Sequence, residues 1–481
     1  MKRVPLVEAL KEYVKLRNAP FSMPGHKSGR GFKCDALDID LTEFILSADI
    51  TEVDGLDNLH KPEGVLKEAL DMLSNLYGSE KSYFLVNGST SGNLIMSYTC
   101  FDEGDKVLVE RNCHRSIMNS LIMRKLKPVY MENTINPTLK APESINKDYF
   151  IKLLSDNKDI KGIFLTYPNY YGIGCDIEFI IDQCKKRDIR VLVDCAHGAH
   201  FGIHERLPKN PVELGADMVV MSAHKTLPSF TQTSYLHINN KMLIEKADFY
   251  FGVFQSTSPS YMFMASLDYS RAFLEYEGKR AYDNLFDIMD KIKSKINNLS
   301  YIKVFDNSYI HESGVIFDDS RLVLFLSKGL SGHKLLDVLR DNRIQAEMSG
   351  DNNVVLLTSP FNTEEDFVSL LKTLEILDIE VIRDRDKCIY ETKLPIQELI
   401  PADAFGLEKE IIPLESSLGR TVGENIIPYP PGVPMLIMGE KIEYEHIEVI
   451  KKSLSDGITM LGINSGNIKV IKDNQLCKMD K

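Results

Sequence analysis

The chain has 481 residues and a formal net charge of −12. That acidity excludes the broad basic surface that grips phosphate backbones. With 43% hydrophobic and 26% charged residues, the composition is that of a folded globular protein rather than a disordered one, and its length leaves room for about three domains.

The first ten residues carry charge and a proline among their apolar members, so no secretory hydrophobic segment is expected. No uninterrupted apolar run reaches the length that crosses a bilayer, and no membrane contact is expected. The eight cysteines form no C-x-x-C pair and no zinc-ligand spacing. Reduced thiols, a cytoplasmic location and no metal centre are therefore expected. The acidic surface serves solubility and mildly favours cationic substrates.

Residues 5–16 place Leu6, Val7, Leu10, Tyr13, Val14 and Leu16 at helical spacing, with Pro5 in the first turn where its missing N–H costs little. Met23-Pro24-Gly25-His26-Lys27 and the residues up to Gly31 read as a loop. From residue 82, short apolar runs alternate with amphipathic stretches. Strands are expected at 82–87, 106–110, 128–132, 162–167, 190–194, 217–222 and 233–238, and helices at 92–100, 116–124 and 177–186. Such alternation implies an α/β fold with a mainly parallel sheet, whose ligands bind where strands end in loops. Residues 273–299 read as one long helix with Gly278 as its weak point. Strand and helix patterns return at 322–326, 333–339 and 354–357. Further on, Tyr429-Pro430-Pro431-Gly432-Val433-Pro434 excludes a helix and calls for rigid, extended chain. The expected parts are an N-terminal segment (1–60), a large α/β domain (61–255), a smaller α/β domain (256–390) and a C-terminal α+β domain (391–481).

Four strand ends carry chemistry. Lys225 follows a strand in Ser222-Ala223-His224-Lys225-Thr226-Leu227-Pro228. A lysine there is ordinarily a solvated charge, but a desolvated amine beside another cationic group is a Schiff-base nucleophile. Asp194 ends the apolar run Val191-Leu192-Val193. A buried carboxylate needs a partner, either a loop N–H or a protonated ring nitrogen. Ser89, Thr90 and Ser91 open a helix, as a plain N-cap or as a phosphate seat. They form no Walker loop, because no Gly-Lys-Ser/Thr is present. His114 lies at another strand end, as an ordinary hydrogen-bonded histidine or as a flat ring that stacks on a ligand.

In this order the pieces match the large domain of fold-type I PLP enzymes (PLP, pyridoxal 5′-phosphate). The chain resembles the Orn/Lys/Arg decarboxylase family in its short form, without the N-terminal wing domain. The resemblance rests on MPGHK (23–27), TEVDGLDNLH (51–60), residues 87–93, residues 112–116, TYPNYYG (166–172), DCAHGAH (194–200), SAHKTLPSFTQ (222–232), STSP (256–259) and YPPGVP (429–434) with Gly439-Glu440, and so spans nearly the whole chain. It implies an aspartate-aminotransferase-like large domain with a seven-stranded sheet. It also implies that Lys225 links to PLP, Asp194 faces the ring nitrogen, His114 stacks on the ring and Ala196 lies against the cofactor. Ser89, Thr90, Ser91, Ser222 and His224 would hold the phosphate. Thr257 and Ser258 would complete the phosphate cup of a neighbouring subunit, in at least a homodimer. Lys225 or His224 would return a proton to Cα. The implied reaction is decarboxylation of a basic amino acid in polyamine synthesis, with arginine first, then lysine, then ornithine. Glu52, Asp54, Asp57 and Glu440 are candidate partners of the substrate's distal cation. The rival readings are an aminotransferase, with Arg420 gripping the substrate carboxylate, and a catalytically inactive binding relative.

Overall fold

Seven strands form one sheet in the order β1-β7-β6-β5-β4-β2-β3. They are β1 (Lys81–Leu85), β2 (Lys106–Glu110), β3 (Lys127–Met131), β4 (Ile160–Thr166), β5 (Arg190–Asp194), β6 (Met218–Met221) and β7 (Ser234–Ile238). β7 runs antiparallel to both its neighbours, and the other pairings are parallel. Helices cover both faces, so the central strands are apolar almost throughout: all four residues of β6 are buried. This computed structural model describes residues 4–384, 394–429, 434–455 and 457–476. Residues 430–433 of the proline-rich motif lie outside them. The motif's first residue ends an extended segment, Ile427–Tyr429, paired with Thr459–Leu461.

The chain opens with a helix, α1 (Pro5–Lys15), that buries none of its residues; Leu6 is 73% exposed and Val14 70%. Ala19–Phe21 then pairs in parallel with Ile344–Ala346, which ties the start of the chain to its later half. Helix α2 (Val65–Tyr77) precedes β1, and α3 (Gly88–Cys100) and α4 (Arg115–Met123) follow β1 and β2.

The helix expected at 273–299 is longer and interrupted. It starts as α5 (Tyr261–Phe273), passes through a π-helical turn at Leu274–Gly278, and continues as α6 (Lys279–Asn297). Gly278 ends the π turn, and a side chain there would meet Ile203 at 3.1 Å. A second sheet, antiparallel throughout, joins β8 (Ile302–Val304), β9 (Arg321–Leu326), β10 (Met348–Ser349) and β11 (Asn353–Leu357) in the order β8-β9-β11-β10. The last part holds a three-stranded antiparallel sheet of Lys409–Pro413, Asn467–Ile471 and Ile463–Asn464. Among the described residues, no helix is long and apolar enough to cross a membrane.

Helix α3 sits unusually close to the sheet. A Cβ on Gly92 would lie 2.4 Å from Val220 Cγ2 and 2.8 Å from Leu85 Cδ1. Alanine in a helix interior normally gains about 0.5–1 kcal/mol over glycine. Here overpacking dominates, and Gly92→Ala is expected to destabilise the protein by about 1–3 kcal/mol, seen as a lower urea midpoint. An unchanged or higher midpoint contradicts the close approach.

Candidate active site

The ends of β1, β2, β4, β5 and β6 open onto one cavity, lined by Ser89, Asn112 with His114, Thr166, Asp194 with Ala196 and His197, and Lys225; Pro168 and Tyr170 complete the wall. Lys225 lies in the short helix Ala223–Thr226 after β6. Its Nζ is 3.0 Å from His197 Nε2 and 5.5 Å from the centre of the Tyr170 ring. Burial pushes its ammonium down to about 8; Asp194 and Glu347 oppose that shift, and Arg321 adds to it. His197 is held neutral, first by burial and then by the Lys225 charge.

Asp194 is fixed from two sides. Oδ2 accepts from Asn93 Nδ2 at 2.8 Å and Oδ1 from the Ala196 backbone N–H at 3.1 Å. The second hydrogen of the same Asn93 amide goes to Ser116 Oγ at 2.8 Å, and Ser116 Oγ lies 2.7 Å from His114 Nδ1. The Ser116 hydroxyl, which accepts from Asn93, keeps its own proton free to give to Nδ1. The Ser116 backbone N–H also donates to Nδ1, at 3.3 Å. His114 is thereby held as the neutral tautomer protonated on Nε2, and burial lowers its pKa further against the pull of Asp194. One asparagine thus sets both the carboxylate and the imidazole.

The hydroxyl residues separate. Ser222 Oγ donates to Ser89 Oγ at 2.9 Å, close to the N-terminus of α3. Thr90 is exposed there. Ser91 turns inward, donating to the Gly88 carbonyl and accepting from Gln255 Nε2, so it does not join the cavity lining. His224 is also outside that lining. Its Nδ1 lies 2.8 Å from the Thr233 carbonyl, which requires a proton on that nitrogen, and burial lowers its pKa to about 4. Thr257 and Ser258 are exposed and do not reach this chain's own cavity.

Three acids or bases nominated from sequence are occupied elsewhere. Glu440 takes both ends of the buried Arg111 guanidinium, at 2.5 and 2.9 Å. Asp57 accepts from five backbone N–H groups around the start of α2, those of Asn58, Glu63, Gly64, Leu66 and Lys67. Arg420 is held within the C-terminal part by Glu410, Asp473 and the Ile471 carbonyl, which removes it as a carboxylate grip. Asp54 is exposed, and Glu52 keeps a buried Oε1 without a partner. The sequence reading gave no role to Asn93, His197 or Lys27, although all three lie inside the motifs it quoted. Thr166, Asn112 and Tyr170 were missed in the same way.

Lys27 is fully buried. Its Nζ donates to the Ser22 and Leu357 carbonyls, both at 2.8 Å, and burial lowers its pKa to about 7. It anchors the Met23–Lys27 loop, whose Gly25 N–H donates to the His224 carbonyl at 2.8 Å. The loop therefore braces the backbone that carries Lys225.

Asn93 Oδ1, Asn112 Oδ1, Thr166 Oγ1 and His197 Nδ1 are buried without partners. Orphaned groups of this kind are costly and fit a polar ligand. The set suits a flat nitrogen heterocycle bearing an aldehyde and a phosphate. Asp194 can face the ring nitrogen, His114 and Ala196 the ring faces, Lys225 the aldehyde, and the N-terminus of α3 the phosphate.

A sequence model of the Orn/Lys/Arg decarboxylase major domain matches residues 4–320, and one of the C-terminal domain of that family matches residues 386–453. The chain belongs to the Orn/Lys/Arg decarboxylase family. It is 36% identical to the uncharacterized protein YaaO of Bacillus subtilis (strain 168), over 98% of both chains. It is 31% identical to an arginine decarboxylase of Bacillus anthracis, over 98% of this chain and 97% of that one. The solved constitutive lysine decarboxylase of E. coli shares the fold with a TM-score of 0.78 at 21% identity, over 97% of this chain and 82% of that one. The fold is that of the fold-type I PLP enzymes.

A Cβ on Gly25 would lie 2.5 Å from the Thr226 carbonyl carbon and 2.6 Å from Leu227 N. Backbone cannot yield there as a flexible side chain would, so Gly25→Ala is expected to shift the Lys225 turn. Turnover should fall at least about tenfold, since small misplacements of reacting groups are costly. Circular dichroism should still show a folded protein. Turnover within twofold of the parent would remove the bracing role.

Proposed function

We propose that the protein removes the α-carboxylate of a basic amino acid, using PLP held by Lys225, with arginine as the first-choice substrate. The observation that carries this reading is the pairing, in one cavity, of a pKa-depressed lysine with a carboxylate fixed by Asn93 and the Ala196 N–H. Family membership supplies the reaction class, and relatives named arginine decarboxylase favour arginine over lysine and ornithine. The natural setting is polyamine synthesis in the cytoplasm.

When bound, PLP supplies the electron sink for the pair left behind as carbon dioxide departs. The protein's residues do the rest. Asp194 presents a fixed negative charge that keeps the ring nitrogen protonated. His114, on the cavity wall, would lie against one face of the ring and fix its orientation. Ser89, Thr90 and Ser222 lie near the positive end of α3, where a phosphate is favoured. With its pKa near 8, Lys225 Nζ is partly neutral at physiological pH and can both attack a carbonyl carbon and carry a proton to Cα. Lys225 suits proton return better than His224, whose Nδ1 proton is engaged by Thr233.

The distal cation of the substrate needs an acid. With Glu440 and Asp57 engaged elsewhere, Glu52 and Asp54 remain of the sequence candidates. Glu347 joins them, because its charge acts on Lys225 as well as on Lys27 and Arg321, while its carboxylate accepts from Met23 N at 3.0 Å.

Lys225→Ala is expected to fold, to release no carbon dioxide from arginine, lysine or ornithine, and to form no borohydride-reducible link to PLP. The unaltered protein should yield amine and carbon dioxide without keto acid. Keto acid as the main product, or a reduced cofactor on another lysine, refutes the reading.

The working unit in this reading is at least a dimer that exchanges Thr257 and Ser258. Both are exposed in the single chain, as is the apolar face of α1. A C2 arrangement lets each chain give the same segment to its partner. Mixing inactive Lys225→Ala with an inactive Thr257→Ala/Ser258→Ala double variant should restore part of the activity, because one site of each mixed dimer carries neither lesion. No recovery after verified subunit exchange, or a fully active monomer by light scattering, contradicts sharing.

A further inference from the structure

His197 Nε2 lies 3.0 Å from Lys225 Nζ, and among the described residues it is the only side-chain atom within hydrogen-bond distance of that nitrogen. The other two imidazoles on which the Lys225 charge acts are engaged elsewhere: His114 Nδ1 by Ser116 and His224 Nδ1 by the Thr233 carbonyl. The Tyr170 ring closes another side of the amine. Its centre is 5.5 Å from Nζ and 4.7 Å from the His197 ring, at 59° to it. Lys225, His197 and Tyr170 all line the cavity. His197 Nδ1 is buried without a partner, so Lys225 alone sets the tautomer of this ring.

We propose that His197 is a positioning residue that holds the free Lys225 amine over the face of Tyr170 by accepting one of its N–H groups at Nε2. The inference rests on the reading of Lys225 as the cofactor lysine. Whenever a substrate amine takes its place, that side chain must be stored in a dry cavity, with its charge compensated and Cα still in reach. An ammonium has three N–H donors and no acceptor, so a partner at 3.0 Å must offer a lone pair. His197 offers one as a neutral ring with its proton on Nδ1, and burial together with the Lys225 charge keeps the ring neutral. The face of Tyr170 takes up further charge. When Nζ gives one proton to Cα it becomes a neutral amine, and a remaining N–H keeps the bond to Nε2. No proton passes through the ring.

An acceptor bonded to an ammonium favours its charged form, so His197 supports the Lys225 charge against burial. Asp194 and Glu347 act in the same direction and Arg321 in the opposite one. A change at His197 leaves those three charges in place.

The test uses the full chain freed of cofactor, with formaldehyde and cyanoborohydride as a probe small enough to enter the cavity. The probe methylates only the neutral amine, and mass spectrometry reads the Lys225 peptide across a range of pH. In the unaltered protein the midpoint should lie near 8. His197→Leu keeps the bulk and loses the acceptor, so its midpoint should fall by about one pH unit or more, the worth of a charge-assisted hydrogen bond. His197→Gln keeps an acceptor oxygen and should restore most of that shift. In the enzyme loaded with PLP, the limb of kcat that falls as pH rises should move down with the midpoint in His197→Leu, and kcat at neutral pH should change more than KM. An unmoved midpoint in His197→Leu, or an equal shift in His197→Leu and His197→Gln, overturns the proposal. Should His197→Leu not fold, Lys225→Met decides from the other side. Without the amine, Nε2 is freed, and diethyl pyrocarbonate should modify His197 several-fold faster; an unchanged rate overturns the proposal. If the labelling shift appears while the unaltered protein releases no carbon dioxide from arginine, lysine or ornithine, the seat of the amine stands and the decarboxylase reading fails.

Discussion

The site depends on one constraint: a carboxylate, Asp194, held dry at the carboxyl edge of a parallel sheet. Burying a charge without compensation is costly, and the surrounding structure answers that cost. Two N–H donors, from Asn93 and the Ala196 backbone, meet the two carboxyl oxygens. Asn93 reaches Asp194 because α3 lies against the sheet at Gly92, one residue earlier. The close contact of a glycine with Val220 and Leu85 is therefore part of the electrostatics of the site, although it touches no ligand.

The same logic explains how later parts of the chain attach to this edge. Arg111 leaves the end of β2 and forms a buried two-pronged pair with Glu440 of the C-terminal part. His200, the second histidine of DCAHGAH, lies 3.2 Å from Asp318, which is itself held by Ser320. Lys27 spans the N-terminal loop and the end of β11. The first two contacts join a segment remote in sequence to a residue within a few positions of the cavity lining, and the third holds the loop whose Gly25 N–H reaches the backbone beside Lys225. Several motif residues that look catalytic by composition are in fact the fastenings of the site.

The alternation of apolar runs exposed the seven strands, because helices cover both sheet faces and leave near-continuous hydrophobic segments. The lysine and aspartate were legible for a related reason: charged residues that end buried strands stand out from their surroundings. The partners of those charges were not legible. Asn93 and Ser116 are ordinary helix residues until the fold brings them between Asp194 and His114. Glu440 and Asp57 looked like free acids because nothing local reveals Arg111 or five converging N–H groups. Ser91 looked equivalent to Ser89, but helical geometry turns successive side chains by about 100° and points it at Gln255. The π turn that ends at Gly278 was hidden too, since a weak helix former signals an irregularity without fixing its form.

The Lys225 charge acts on three imidazoles, and burial works against the charged form of each: His114, His197 and His224 all have lowered pKa values. Desolvation explains most of this, and the Lys225 charge adds to it in every case. The effect is reciprocal. An imidazolium beside Lys225 would depress its ammonium further, whereas neutral rings leave burial as the dominant influence and Asp194 as its main opponent. The lysine is thereby kept near the point where it exchanges protons at physiological pH. A single proton can then move at the amine without redistributing charge among the histidines. That is the condition under which one side chain can act first as a nucleophile and then as an acid.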